Sequence, residues 1–306
     1  MELYYEKLQA NITPETLAQL KHNKIILEST SQEKLKGRYS IVVFDSYGKV
    51  TLDNKQLQII TQQKKETKTE KPYQYLKEFV NSYYADIEDQ TLQELPFISG
   101  FIGTCSFDLV RHEFPILKQI ELEDHPQHDV KFYMIEDVYV FDHYKDELYI
   151  ISTNLFSQVK QDVLIQRVKE RIEDLKAIHV YQPKVTFQVQ DKQIEANVSE
   201  QHFMNIVSDF KKKITEGDMF QVVPSRIYRY KHHFNNQLQA LSFQLYQNLK
   251  RQNPSPYMYY INMEKPIIIG SSPESFVKVQ SGKPYCWNNT KRTNTRGRSK
   301  QCASTH

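Results

Sequence analysis

What most limits the folds open to this chain is that its β-prone runs come in pairs across tight turns, with amphipathic helices between the pairs. Tyr39-Ser40-Ile41-Val42-Val43-Phe44 is strongly β-prone, and Ser46-Tyr47-Gly48 turns it into Lys49-Val50-Thr51-Leu52. Phe132 to Phe141 is strand-like, and Asp146-Glu147 turns it into Leu148-Tyr149-Ile150-Ile151. Turns this short join antiparallel neighbours. Tyr73 to Tyr84 has helical spacing through Leu76, Phe79 and Val80, and Val159 to Leu175 repeats it at Val163, Leu164, Val168, Ile172 and Leu175. Mixed strands and helices with antiparallel hairpins predict an α+β fold: layered antiparallel β-sheets flanked by helices.

Residues 1–30 read as a helix followed by a strand, with Thr13-Pro14-Glu15 as a helix start and Ile25-Ile26-Leu27 as the strand. The charged run Lys64-Lys65-Glu66-Thr67-Lys68 reads as a solvated loop. Residues 177–197 are polar and mixed, which places an N-terminal domain at 1–178 and a second segment at 195–282. That segment opens with Ser199 as N-cap and a helix face at Phe203, Ile206, Val207, Phe210 and Ile214, closed by Gly217. A strand is expected at Phe220-Gln221-Val222-Val223, a helix from Gln237 to Leu249 with a leucine stripe (Leu238, Leu241, Leu245, Leu249), and strands at Tyr257–Ile261 and Ile267–Ile269. No internal repeat is visible.

Composition excludes several classes. The first 15 residues have no apolar run, and nothing approaches the roughly 18 consecutive apolar residues of a membrane span, so a soluble cytoplasmic protein is expected, with no membrane partner. Cys105, Cys286 and Cys302 lack metal-ligand or disulfide-framework spacing. The net charge of +3 arises from six Lys/Arg and no acid in residues 283–306; without them the rest of the chain carries −3. The basic tail lacks apolar periodicity, and no nucleic-acid partner is expected.

Three motifs follow one another at loop–strand junctions: Gly217-Asp218-Met219-Phe220-Gln221-Val222-Val223-Pro224-Ser225-Arg226, then Asn253-Pro254-Ser255-Pro256-Tyr257-Met258, then Gly270-Ser271-Ser272-Pro273-Glu274. From pattern alone, Gln221 is either a solvent-facing strand residue or an amide presented to a pocket, and Glu274 is either a surface turn carboxylate or a site acid. Together the motifs resemble the chorismate-utilising enzymes, anthranilate synthase component I in particular. Leu95 to Gly103 with Phe107-Asp108-Leu109-Val110-Arg111 resembles the family's glycine-rich stretch, departing from it at Phe101 where a second Gly is usual.

The resemblance implies a set of roles. Gln221 stands where water-adding relatives carry Lys, which favours amination, because an amide is no general base at neutral pH. Glu274 is the acid implied to protonate the departing C4 hydroxyl, a role that needs a carboxyl kept protonated. Leu27-Glu28-Ser29 matches a short motif that helps to bind feedback tryptophan, and Pro256, Tyr257 and Met258 supply an apolar slot for an indole. The implied substrate is chorismate, the implied partner a glutamine amidotransferase subunit, and the implied cofactor Mg²⁺. Aminodeoxychorismate synthase and a non-catalytic tryptophan-binding fragment are the alternatives.

The expected Pro-Ile-Ala-Gly-Thr stretch after Ser-Pro-Glu is missing, replaced by Pro284-Tyr285-Cys286-Trp287-Asn288. Read from the second base of each codon, Trp287 is forced to Gly and its neighbours accommodate Pro-Ile-Ala-Gly-Thr. With AGR codons, Arg296, Gly297 and Arg298 accommodate Glu-Glu-Asp. Residues after about Gly282 or Lys283 are thus expected to be an out-of-frame tail. The catalytic half would then be incomplete, the metal-binding acids and catalytic histidine absent, and the truncated chain inactive.

Overall fold

A computed structural model of the protein describes residues 1–29, 37–53, 55–114, 116–117, 128–176, 178, 194–232, 234–280 and 283–285. In chain order its strands are β1 (Leu3–Gln9), β2 (Lys24–Glu28), β3 (Tyr39–Val43), β4 (Gly48–Leu52), β5 (Leu57–Thr61), β6 (Lys65–Lys68), β7 (Gly100–Cys105), β8 (Val130–Ile135), β9 (Asp137–Asp142) and β10 (Glu147–Thr153). They continue with β11 (Ile194–Ala196), β12 (Tyr228–Tyr230), β13 (Tyr257–Asn262), β14 (Ile268–Ser272), β15 (Lys278–Gln280) and β16 (Lys283–Tyr285). The α-helices are α1 (Pro14–Leu17), α2 (Pro72–Asn81), α3 (Gln90–Gln93), α4 (Gln161–Lys176), α5 (Glu200–Glu216) and α6 (Leu238–Gln252).

Two antiparallel sheets share one core. The first runs β1-β10-β9-β3-β2-β13-β14 and the second β6-β5-β4-β8-β7. Alternating side chains send Ile25, Ile41, Val43, Val138, Val140, Tyr149 and Ile151 of the first sheet against Ile102, Tyr133 and Ile135 of the second. On its outer face the first sheet buries Val42, Tyr139, Phe141, Leu148 and Ile150 against Leu17 of α1 and Val168 of α4. The second sheet buries Val50, Leu52, Leu57, Ile59, Val130 and Met134 against Leu76 of α2. The result is the expected α+β layering of antiparallel sheets and helices.

The sequence misjudged five local features. Ser46-Tyr47-Gly48 turns β3 into β4, but the two strands belong to different sheets rather than forming an antiparallel pair. Residues 3–9 form a strand, because Leu3 and Tyr5 face one core while Tyr4 and Leu8 face the other, and β1 pairs with β10 along its whole length. Phe132 to Phe141 is two strands in different sheets, parted at Glu136. This acid is 3% exposed. It accepts from the Phe156 and Ser157 amides at 2.7 and 2.6 Å and from Arg167 at 3.1 Å. The Lys64–Lys68 run is edge strand β6 rather than loop; its charged side chains blunt an open sheet edge. Phe220–Val223 forms no strand, having no ladder partner among the described residues.

The chain groups into two compact units, residues 1–182 with 245–306, and residues 183–244. Strands β13 and β14 complete the first unit's sheet, so the expected segment 195–282 contributes to both units. The second unit holds α5 and the β11–β12 pair. Ser199 caps α5, its hydroxyl accepting from the His202 amide at 3.2 Å. Gly217 ends the helix at φ +88°, a left-handed conformation in which a side chain would be strained. Of the tail expected to be out of frame, only 283–285 lies within the described residues, as β16.

Candidate functional site

Leu27-Glu28-Ser29 and Pro256-Tyr257-Met258 are neighbours because β2 and β13 pair. In register, Met258 lies opposite Glu28 and Tyr259 opposite Leu27. On its other side Met258 lies opposite Ser271 of β14. Strand alternation divides the six residues between the sheet's two faces. Leu27 turns to the inter-sheet core, while Glu28 and Met258, 4% and 1% exposed, share the other face. Tyr257 is 45% exposed. The six therefore do not all line one slot.

On the face carrying Glu28 lies a cavity of about 480 Å³ lined by Thr13, Glu15, Glu28, Ser29, Ser40, His143, Asp146 and Lys250, among others. Its charges are mixed: three carboxylates stand against the Lys250 ammonium and an imidazole. Lys250 bridges Glu28 at 2.8 Å and Glu15 at 2.5 Å. Burial lowers the Lys250 pKa, but the two carboxylates outweigh it and raise the net value. Burial likewise opposes ionisation of Glu15, yet Lys250 holds its carboxyl below the ordinary range. The Ser40 hydroxyl lies 2.7 Å from His143 Nε2. Burial keeps the His143 imidazolium below the usual histidine range against the pull of Glu28.

Sequence reasoning missed Glu15, Ser40, His143, Tyr246 and Lys250. One signal for the last two was available: four residues apart, they share one face of α6. The leucine stripe concealed it. Leu241 is buried, but Leu245 is 43% exposed while Tyr246 is fully buried.

The two residues implied as catalytic are both at the surface. Gln221 is exposed in an extended stretch in which Phe220 and Val223 are 83% and 80% exposed. Glu274 is exposed just past β14, its carbonyl accepting from the Ser272 hydroxyl at 3.1 Å. They fall in different units of the chain. For the implied Mg²⁺, no group of three or more His, Cys, Asp or Glu among the described residues is placed to hold a metal ion, so no step is routed through one. Cys105 is a free, exposed thiol. No described helix is long and apolar enough to cross a membrane.

An antiparallel two-sheet core carrying these motifs defines a class: the chain belongs to the chorismate binding enzyme family, which it matches over residues 22–286. Within that family it is similar to anthranilate synthase component 1 of Lactococcus lactis, at 31% identity over 260 residues, covering 84% of this chain and 53% of that one. It is also 28% identical over 295 residues to the probable anthranilate synthase component 1 of Schizosaccharomyces pombe, covering 91% and 54%. The crystal structure of anthranilate synthase component I from Streptococcus pneumoniae superposes with a TM-score of 0.62 at 25% identity, covering 83% and 54%. The chain thus spans about half the length of these relatives.

Proposed function

We propose that this chain carries the amino-acid-sensing part of an anthranilate synthase component I, and that tryptophan is the amino acid sensed. The observation that carries this reading is the cavity at Glu28 and Ser29, at the end of β2; Pro256, Tyr257 and Met258 do not line it. Mixed charge around an open cavity suits a zwitterion: carboxylates for an ammonium, and Ser29 with backbone groups for a carboxylate. In the whole reaction, ammonia released from glutamine by a partner amidotransferase subunit adds at C2 of chorismate. The C4 hydroxyl leaves as water and pyruvate is eliminated to give anthranilate. Glu274 is the proposed proton donor to that hydroxyl, Gln221 lies on the path of the amine, and the Mg²⁺ ligands belong to the length of the relatives that this chain does not match.

As an isolated polypeptide, 1–306 is proposed not to turn over. What supports this is that Gln221 and Glu274 are both exposed and fall in different compact units, in a chain that spans about half the length of its relatives. Two measurements test these readings. L-tryptophan at millimolar concentration should raise the melting temperature of 1–306 by several degrees, and Ser29→Ala should abolish the shift. An unchanged wild-type melting temperature overturns the sensing reading. Anthranilate formed from chorismate and ammonia by purified 1–306 overturns the other.

A further inference from the structure

Glu28 is surrounded by donors from its own protein. Its Oε2 accepts from the buried Tyr246 hydroxyl. Its Oε1 accepts from Lys250 Nζ at 2.8 Å and from the Ser40 hydroxyl at 3.4 Å. A carboxylate that is 4% exposed and bonded at both oxygens is poorly placed to take up a ligand's ammonium, because those bonds would have to break in a low-dielectric setting.

Two of the three donors, Tyr246 and Lys250, come from α6. The Tyr246 ring packs on that of Tyr260 of β13 with centroids 5.7 Å apart. Lys250 reaches on to Glu15 in the first turn of α1. Directly after α6 the chain enters the Asn253–Met258 stretch. The Asn253 amide donates to the Leu249 carbonyl at 2.8 Å, and the Asn253 carbonyl accepts from the Ser271 hydroxyl at 2.8 Å. The buried Ser255 hydroxyl donates to the Ser272 carbonyl. A continuous set of bonds thus runs from the carboxylate beside Ser29 to the Ser271–Glu274 turn.

We infer that Glu28 is a positioning residue: with Tyr246 and Lys250 it forms a buried tether that sets the end of β2 at the cavity and joins it, through α6, to the turn carrying Glu274. The inference rests on the amino-acid-binding reading of the cavity, with Ser29 as the ligand-contacting member of the motif. Tyr246 does not line the cavity, which gives the tether a distinctive signature. If Glu28 were the ligand's partner, Tyr246→Phe would free its carboxylate and leave tryptophan affinity equal or higher. With a tether, Tyr246→Phe and Glu28→Gln each weaken binding about tenfold, and the double variant is no worse than the poorer single one. Lys250→Arg should restore binding that Lys250→Met loses, since either cation spans the two carboxylates.

The closing experiment is a double-mutant cycle of Glu28→Gln and Tyr246→Phe in the 1–306 chain, read by tryptophan calorimetry and by thermal melting without ligand. The tether predicts non-additive losses in both readouts. Additive melting shifts, or a Tyr246→Phe protein that binds tryptophan as tightly as the wild type, overturn it. If the wild type binds no tryptophan the sensing reading fails by itself, and the ligand-free cycle still decides whether Glu28 and Tyr246 act as one unit. Hydrogen exchange of the wild type should also show slowed amides at 268–272 in the bound state, and a Tyr246→Phe protein should lose that protection while still bound.

Discussion

The two compact units use the same sequence grammar with opposite results. In residues 1–182 with 245–306, alternating strands bury the core of both sheets, and α2 and α4 bury Leu76, Leu164 and Val168 against them. In residues 183–244, α5 is as clearly amphipathic, yet none of its 17 residues is buried and Met204 and Ile214 are 48% and 42% exposed. Periodicity specifies which face of an element seeks a partner. Whether that face is covered is decided by chain elsewhere, and most of a helix's stability comes from that covering.

The contrast implies the largest effects in the first unit. A methyl at Gly103 of β7 would lie 1.9 Å from the Lys131 carbonyl oxygen, a backbone atom held in the ladder with β8. Gly103→Ala should leave little folded protein at 25 °C by circular dichroism; a melting temperature within a few degrees of the wild type would show that β7 and β8 separate freely. Next, Ile150→Ala removes a fully buried side chain and should cost about 2–5 kcal/mol in urea unfolding. Phe210→Ala on α5 should cost less than about 1 kcal/mol. Equal costs for the two would break the comparison.

A smaller effect concerns charge inside the first unit. Burial lowers the Lys24 ammonium to about 8, although it donates to the Ala18 carbonyl. Between pH 8 and the ordinary lysine range, the unfolded chain holds a proton that the folded one has released, so stability rises with pH across that window. Below it both states are charged and the penalty is constant. Lys24→Met should therefore stabilise the protein by about 1–2 kcal/mol at pH 7 and flatten the rise. A loss of stability at pH 7 would mean that the hydrogen bonds of Lys24 outweigh its desolvation.

The layered fold was legible because most of its signals are local. Asp146-Glu147 fixes the β9–β10 hairpin within a few residues, and Ser199 and Gly217 bracket α5 at the residues where the structure caps it. Pairings between distant segments were not legible. Nothing local indicates that Leu3–Gln9 lies beside Glu147–Thr153, or that β13 completes the sheet of β2. For the same reason the cavity was half seen. Glu28 and Ser29 are recognisable as a motif, whereas His143 and Lys250 reach them from segments more than a hundred residues away, and Glu15 reaches them from a different element, α1. Phe101 is the reverse case. Unusual by resemblance, it is explained by packing, with its ring edge-on to Phe79, Tyr83 and Phe156.

The smallest predicted effect separates the units most cleanly. Ser199→Ala deletes the hydroxyl that accepts from the His202 amide and exposes an unsatisfied donor at the start of α5. The local cost is about 1 kcal/mol, equivalent to about fivefold faster exchange of the first-turn amides if they open by fraying. Because no α5 side chain is buried, the loss is expected to stay local to the helix. The β9 and β10 amides should keep their wild-type protection, and the main melting transition should move by less than about 1 °C. A melting shift of several degrees would mean that α5 unfolds together with the sheets, and the two units would then be one cooperative body.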